Sequence, residues 1–391
     1  MNKAIVRLNI FVFLYSLIAN FVHPVTPTFI QMLGLHNYMF GLAFGMMSLA
    51  NFLFSPFWGK MAERLGPGRI ISLAVIGYGC MQLMFGLSTK EWHICVARFF
   101  GGFFISAVSV AEIIYIMQNS DDVGKDLAMM SMNNTIVSQF GFLIGGFIGL
   151  LGVRLTFFIQ AAGLAGLGVY VAFALKDKNR GGSAPITAKD INPFADFIAT
   201  KDVLNTYTIL FLAIAAMSSL GATCYEQCFN YYIKDVFGFP SSYNGMVKAV
   251  IGFICFALNY LVAMKIIRRG RCDRSIIWVF AVMIVLMLGV IGIEALIPFL
   301  IVNILFFGVN SIVKVMNHNM IADHTSGEGA KTAGIYNSIS MLGNVGGSFL
   351  AGFVYEVSPK SSFVVSAAAI ACCLVLAVVH LRAGIRLKEK A

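Results

Sequence analysis

Long apolar runs recur along the whole sequence and are separated by shorter polar stretches. A helix needs roughly 20 apolar residues to cross about 30 Å of hydrocarbon, and each run is long enough. Because the runs lack the alternation of a membrane β-barrel and lipid satisfies no backbone hydrogen bonds, we expect them to be helices. The predicted spans, numbered one to twelve in chain order, have approximate boundaries at 6–30, 38–58, 70–88, 93–117, 128–150, 155–175, 206–233, 244–265, 275–293, 297–320, 332–355 and 361–381.

Composition favours a membrane protein over a soluble one. The chain has 391 residues, of which 59% are hydrophobic and 12% are charged. Soluble domains are about 45–50% apolar and about 25% charged, so this chain has too little polar surface to cover a water-soluble globule. The sequence therefore predicts an all-α, multi-pass membrane protein.

The net charge of +10 is explained by its distribution along the chain. If the N-terminus is cytoplasmic, most Lys and Arg residues fall on the cytoplasmic side, and the external loops hold only Lys90, Arg154, Lys234 and Lys360. This positive-inside bias predicts a protein of the cell membrane with both termini cytoplasmic. We expect the basic cluster at 265–274 to face anionic lipid headgroups, and we do not expect a nucleic-acid partner.

A polar stretch at 176–205 divides the chain into two predicted halves, 1–175 and 206–391, each with six spans. We interpret the stretch as a cytoplasmic linker, with a short amphipathic helix on the membrane surface at 193–203.

An internal repeat supports this division. Gly34, Gly41, Arg64 and Gly66 recur at a constant offset of 204 as Gly238, Gly245, Arg268 and Gly270. A second echo, at an offset of 202, relates Gly141 and Gly145 to Gly343 and Gly347. Parallel repeats of this kind are typical of transporters whose binding site lies between the repeats. The predicted fold is two pseudo-symmetric bundles of six transmembrane helices.

The loop after the second span carries the clearest motif, G-K-M-A-E-R-L-G-P-G-R at 59–69. It resembles the signature loop of the major facilitator superfamily, in which a Gly is followed by a small residue, an Asp, a basic residue and another Gly. The matching residues are Gly59, Ala62, Arg64 and Gly66. Glu63 replaces the Asp, and the following Arg arrives late, at Arg69.

The resemblance implies that this loop gates the cytoplasmic side, with a carboxylate beside arginines that locks two helix ends and releases them. The alternative is a positively charged loop with no gating role.

Two further motifs carry the resemblance. The fourth span has Arg98 followed four residues later by Gly102, which resembles the superfamily's second motif. The fifth span has Gly141, Gly145 and Gly149, which resemble the glycine-rich motif of its drug–proton antiporter branch. The branch's proline is replaced by Gly146, which is a departure from its pattern. Close packing of helices through small residues, without any implication for transport direction, is the alternative interpretation of these glycines.

Polar side chains in the spans fall on single helix faces, because residues three or four apart share a face. The stripes are Ser16, Asn20 and His23 in span one; Arg98, Gly102, Ser109 and Glu112 in span four; Ser219, Thr223, Glu226 and Asn230 in span seven; and Asn303, Asn310, Lys314 and Asn317 in span ten. Charges in lipid cost about 2.5 kcal/mol or more, so we expect them to face a cavity or a partner. The superfamily resemblance implies that these four spans line a central cavity.

The candidate substrate-binding or proton-coupling residues each have an alternative role. Burial disfavours the charged form of a carboxyl group, so Glu112 and Glu226 are rival proton carriers, unless they lie in water at a rim. Arg98 and Lys314 are candidates for substrate binding or for structural cations. His23 is a candidate titrating group or a plain hydrogen-bonding residue. The remaining candidates for the cavity or its rim are Asn20, Tyr115, Asn230 and Asn310.

We interpret the chain as a secondary active transporter that works by alternating access, with proton-coupled efflux of a small amphipathic or lipophilic molecule. Uptake of a small polar or anionic solute is the alternative, and a non-transporting sensor or membrane enzyme is a third class. No nucleotide-binding loop, nucleophile elbow or His-rich cluster is present, so neither ATP-driven transport nor an enzyme is predicted.

We expect no cofactor and no metal, because the eight cysteines lack zinc-like spacing. The predicted partners are the small-molecule substrate, protons and the lipid bilayer, and the expected oligomeric state is a monomer.

Overall fold

The computed structural model describes residues 3–177, 192–193, 205–270, 272–323 and 329–390, and the regular secondary structure within these ranges is helical. Twelve long helices occur in these ranges. In chain order they are α1 (Lys3–Met32), α2 (Met39–Leu65), α3 (Pro67–Gly86), α4 (Glu91–Asn119), α5 (Val123–Leu151), α6 (Val153–Ala174), α7 (Thr206–Asp235), α8 (Ser241–Arg268), α9 (Cys272–Gly292), α10 (Leu296–Asp323), α11 (Gly329–Tyr355) and α12 (Ser361–Lys390). The predicted all-α fold with twelve helices is confirmed.

In the described ranges, eleven of these helices are long and apolar enough to cross a membrane. The exception is α11, which is long enough at 27 residues but carries Asn337, Ser338, Ser340 and Asn344 in its middle. A polar face in a spanning helix requires protein or water beside it rather than lipid.

Two helices are interrupted. In α1, a regular helix over Lys3–Ile18 is followed by a 3-10 turn at His23–Val25 and a second helical piece over Thr26–Met32. Pro24 and Pro27 lie at the starts of these later pieces, where their missing amide hydrogens leave no helical bond unmade. In α8, five residues at Asn259–Ala263 form a π-turn within the helix.

The internal repeat is visible in the backbone. The described residues with positive φ are all glycines: Gly34, Gly66, Gly238 and Gly270, with φ between 60° and 96°. They form two of the pairs related by the offset of 204. Gly34 and Gly238 lie in the turns before α2 and α8, and Gly66 and Gly270 lie in the turns after these helices. Only glycine adopts this left-handed conformation without strain, which explains why it recurs at both places.

The helices form two compact units. The first contains α1 to α6 together with Ile233–Ala249, and the second contains α7 up to Tyr232 and the chain from Val250 onward. The predicted division at 176–205 therefore stays a prediction. Most of that segment, including the surface helix expected at 193–203, lies outside the described residues.

Within the first unit, α2 packs on α4, α3 packs on α4 and α6, and α1 packs on α5 and α6. Within the second, α9 packs on α10 and α12, and α11 packs on α12. Gly141 and Gly145 of α5 lie against the backbone of α1, and Gly343 and Gly347 of α11 lie against the backbone of α7 in the same way. Each half thus brings its first and fifth helices together through the same two glycines.

Candidate transport site

The helices α7, α10 and α11 of the second unit form a cavity of about 190 Å³, called the polar cavity here because most residues of its wall have polar side chains. Apart from Ala222 and Val313, every residue of its wall has a polar side chain. The wall consists of Ser218, Ser219, Ala222, Thr223, Glu226, Asn310, Val313, Lys314, Asn317, His318, Tyr336, Asn337, Ser340 and Asn344. The cavity therefore brings together three of the predicted site residues: Glu226, Asn310 and Lys314.

Part of this wall is held by its own hydrogen bonds. The Thr223 hydroxyl donates to Asn344 Oδ1 at 2.8 Å, and Asn317 Nδ2 donates to the Ser218 hydroxyl at 3.4 Å. These bonds tie α7 to α11 and to α10. They fix the positions of the amide groups around the cavity, so that the remaining polar groups face a preorganised space.

Other groups in the wall are available to a ligand. Asn310 is buried, with 7% of its surface exposed, and its amide makes no hydrogen bond to another described residue. Lys314 lies one helical turn further along α10 and is exposed. A buried amide needs a donor or acceptor opposite it, so Asn310 is suited to hold water or a polar solute.

Sequence inspection missed the contribution of α11. Tyr336, Asn337, Ser340 and Asn344 follow a three-to-four residue spacing that places them on one face. This spacing was readable in the sequence, but the stripe contains no charge and so did not stand out. Asn230 of α7, a predicted site residue one turn beyond Glu226, is buried but is not part of the cavity wall.

Arg98 lies in dry surroundings in the first unit. Only 2% of its surface is exposed, and its guanidinium carbon lies 4.3 Å from the ring centroid of Phe85 and 5.0 Å from that of Phe44. One nitrogen donates to the Thr26 hydroxyl at 3.3 Å, and no carboxylate pairs with the group within the described ranges. The quadrupoles of the two rings attract the cation and partly replace an anionic partner.

Glu112 is buried in the same unit, with 3% of its surface exposed. Its Oε1 atom accepts no hydrogen bond from the described residues. It lies about 21 Å along α4 from Arg98 at 1.5 Å per residue, so the two do not form an ion pair.

The predicted residues of α1 are held by local contacts. Asn20 donates from Nδ2 to the carbonyl of Ser16 at 2.7 Å. The ring of His23 stacks between Phe44 and Phe142, with its centroid 5.3 Å from each. Both side chains therefore stabilise the break in α1 where it meets α2 and α5, and neither lies in the polar cavity of the second unit.

The signature loop is fastened by a residue that the sequence did not single out. The Gly68 amide, in the first turn of α3, donates to Asp177 Oδ1 at 2.7 Å. Gly66, with φ of 96°, lies directly against the same carboxylate. Asp177 therefore caps α3 from the end of the first half, and a side chain on either glycine would collide with residues 175–177.

The charged residues of the motif do not make this contact. Glu63 pairs with the exposed Lys60 at 3.4 Å, and Arg64 and Arg69 are exposed. At this loop the carboxylate that joins two segments is Asp177, and the gating role of Glu63 with Arg64 and Arg69 stays a prediction. Gly59 lies beside Val110 of α4, since a Cβ atom placed on Gly59 would lie 3.6 Å from Val110 Cγ1.

Tyr115 belongs to the same region. It was expected to line the cavity or its rim, but it is buried and its hydroxyl donates to the carbonyl of Lys176 at 3.5 Å. Near it, Arg7 of α1 donates to the carbonyl of Ala174 at 3.2 Å. The end of the first half is therefore tied to α1, α3 and α4.

The remaining predicted glycines lie where helices approach closely. Gly102 of α4 lies against the backbone of α2 at Met47. Gly149 of α5 lies against Val25 and Ser241, and the Ser241 hydroxyl donates to the carbonyl of Gly146 at 3.2 Å. The absence of a side chain at Gly146, where the antiporter branch has proline, thus admits the start of α8 to the surface of α5.

Twelve long helices in the described part of the chain, together with buried charges and a cavity between apolar helices, are typical of membrane transport proteins. Residues 8–313 match the family model of the Major Facilitator Superfamily, and the chain belongs to this family.

Relatives of known activity include Multidrug resistance protein 2 of Bacillus subtilis, which is 23% identical over 90% of this chain and 88% of its own length. Quinolone resistance protein NorA of Staphylococcus aureus is 22% identical over the full length of both chains.

Solved structures of similar fold include a mutant of the nucleoside transporter NupG, with a TM-score of 0.77 and 13% identity, covering 97% of this chain and 99% of that one. A bacterial homologue of the human lysosomal transporter Spinster has a TM-score of 0.73 and 15% identity, covering 96% and 94%. At these identities the similarity establishes the fold alone.

Proposed function

We propose that this protein is a secondary active transporter that uses alternating access to export a small amphipathic or lipophilic molecule in exchange for protons. It acts as a monomer in the cell membrane with both termini in the cytoplasm. Two matched halves move around a substrate path, and Glu112 carries the proton.

Glu112 is the observation that carries the proposal. Removal from water disfavours the charged form of any carboxyl group, and Glu112 is buried with no cation paired to it in the described part of the chain. A carboxyl group in such a place is not needed for helix packing, since Gln or Leu would fit without the cost of a charge. Reversible protonation explains why a carboxyl group is present, because Glu112 binds and releases protons as the proton gradient drives transport.

The direction of transport is supported by the relatives. Those with the names Multidrug resistance protein and Quinolone resistance protein align along nearly all or all of this chain. The glycines of α5 lie in this alignable length and resemble the glycine-rich motif of drug–proton antiporters.

The polar cavity favours a second candidate, uptake of a small polar or anionic solute. At about 190 Å³ it holds about six waters at roughly 30 Å³ each, which is smaller than the pockets of about 300 Å³ or more that take drug-sized ligands. A lipophilic ligand would leave amides such as Asn310 unpaired, at about 1–3 kcal/mol each. A hydrophilic solute would pair them.

Proteoliposomes that contain the purified protein separate the two candidates. Ethidium represents an amphipathic substrate, and uridine and gluconate represent neutral and anionic polar ones. An imposed pH gradient should drive ethidium against its concentration gradient, and nigericin, which collapses the pH gradient, should abolish the movement. Concentration of uridine or gluconate instead would favour the second candidate, and movement that is insensitive to the pH gradient would contradict proton coupling.

A further inference from the structure

The offset that relates the two halves also pairs two irregular places in the helices. An offset of 204 brings residues 55–59 of α2 onto residues 259–263 of α8. In α2 this segment contains Pro56, in the middle of a helix that runs from Met39 to Leu65. In α8 it is the π-turn at Asn259–Ala263. The same place in the two halves therefore holds a proline within a continuous α-helix in α2 and a π-turn in α8, and both weaken the regular helical hydrogen-bond pattern.

Two adjacent residues weaken the helical hydrogen bonding of α2 at this place. Pro56 has no amide hydrogen, so the carbonyl of Phe52 loses its helical donor, and the ring crowds the preceding turn. Beside it, the Ser55 hydroxyl donates to the carbonyl of Asn51 at 2.6 Å. A serine that bonds back to its own helix weakens the turn further and favours bending.

The irregularity in α8 has a different chemical origin. The amide of Met264 bonds to the carbonyl of Asn259, five residues back, instead of four. The side chain of Asn259 accepts a hydrogen bond from the Ser311 hydroxyl of α10 at 3.3 Å. Such π-turns make up well under 1% of residues in soluble proteins, and they are frequent at functional sites.

From these placements we infer that Pro56 and the π-turn at Asn259–Ala263 are a matched pair of hinges. Both lie about 15 Å, at 1.5 Å per residue, from the positive-φ glycine that ends their helix, Gly66 or Gly270. Each hinge lets the last third of its helix bend apart from the rest. Prolines and π-turns are the recognised causes of sharp bends in helices.

The course of α8 gives its hinge a mechanical reason. Residues up to Ala249 belong to the first compact unit, and those from Val250 onward belong to the second. A helix shared by two units has to accommodate any movement of one unit against the other, and the π-turn lies on this helix ten residues beyond Ala249, within the second unit. The inference rests on the proposed function only in this respect, because alternating access is what makes such movement necessary.

A pair of substitutions at Pro56 tests the hinge in α2. Pro56→Ala restores the amide and a good helix former, whereas Pro56→Gly restores the amide but keeps a weak point, since Gly is about 1 kcal/mol poorer in a helix. Ethidium efflux from proteoliposomes should slow by roughly tenfold or more in Pro56→Ala and by less than about threefold in Pro56→Gly. Equal losses in both variants, or wild-type rates in both, would overturn the hinge in α2.

Hydrogen exchange gives a readout that does not depend on transport. In the wild type, peptides covering 50–60 and 255–265 should exchange faster than the flanking turns of their helices. Pro56→Ala should slow exchange in the first peptide, and deletion of the exposed Tyr260, which removes the extra residue of the π-turn, should slow it in the second. Thermal unfolding monitors whether each variant folds.

The two readouts distinguish failure of the hinge from failure of the proposed function. If the wild type does not move ethidium, the proposed function is contradicted and exchange alone decides the hinge. If either peptide, 50–60 or 255–265, exchanges hydrogen as slowly as the helical turns on both sides of it, the proposal of two matched hinges is refuted.

Discussion

The two compact units hold their ionisable residues in opposite ways. In the first, Arg98 is buried at 2% exposure beside the rings of Phe44 and Phe85, and Glu112 is buried at 3% exposure with no partner for its Oε1 among the described residues. In the second, Glu226 and Lys314 line a cavity together with amides and hydroxyls. Both sets lie on helices that the superfamily resemblance places around the central cavity. Related halves of one chain can therefore place their charges in different surroundings.

The difference follows from solvation. A charge in a dry site is costly, and a change in its protonation or partner changes the free energy of the whole unit. A charge beside a cavity that has room for water carries a smaller desolvation free energy, and the water there can be exchanged for a solute. We therefore propose that the first unit couples protons and that the second recognises the solute.

The largest expected effect comes from Glu112→Gln. The variant keeps the shape of the side chain but cannot carry a proton, so proton-driven accumulation of ethidium in proteoliposomes should fall by at least about 100-fold, the scale of a lost proton-transfer group. Glu226→Gln is the matched comparison. It should change the apparent affinity for the transported molecule and leave the dependence on the pH gradient in place.

The reverse result would exchange the roles of the two units. If Glu226→Gln abolishes coupling while Glu112→Gln retains it, the proton carrier lies in the cavity. Melting temperatures of both variants should match the wild type, which shows that neither loss is a folding defect.

A smaller effect is expected at the cavity wall. Asn310→Leu places an apolar group where the buried amide faces the cavity, so the loss of about one hydrogen bond should weaken binding of a polar ligand by roughly tenfold. Asn310→Ser retains a donor and an acceptor and should lose less. Titration of detergent-solubilised protein with the solute that proteoliposomes accumulate measures both affinities. Unchanged affinity in Asn310→Leu would exclude this residue from the binding site.

The smallest effect concerns Asp177. Asp177→Ala removes the hydrogen-bond acceptor for the Gly68 amide at the start of α3, and should lower the free energy of unfolding by about 1 kcal/mol, the value of a helix cap. Glu63→Gln is the control. Its exposed pair with Lys60 should contribute little, because surface ion pairs are worth about 0–1 kcal/mol. Urea titration at a fixed detergent concentration compares the two, and equal destabilisation would contradict the cap.

The sequence predicted the helices well because membrane spans obey a strong length rule. Apolar runs of about 20 residues reveal a spanning helix without any tertiary information. The repeated glycines were also informative, since Gly34, Gly66, Gly238 and Gly270 all have positive φ.

The site was less predictable, for physical reasons that differ from residue to residue. Asn337 and Asn344 are uncharged and lie in a helix of lower hydropathy, so nothing marked them as a wall of the cavity. Asp177 acts on Gly68 from 109 residues away, and no local pattern encodes such a contact. The π-turn at Asn259–Ala263 depends on packing against α10, and its sequence reads as an ordinary apolar helix.

Carboxyl labelling tests the contrast between the units most directly. A water-soluble carbodiimide reacts with carboxyl groups that water reaches, and dicyclohexylcarbodiimide reaches protonated ones within the apolar interior. Mass spectrometry of the labelled protein should find Glu226 modified by the water-soluble reagent, and Glu112 modified only by dicyclohexylcarbodiimide. Equal modification of Glu112 and Glu226 by the water-soluble reagent would contradict a dry coupling site in the first unit and a wet recognition site in the second.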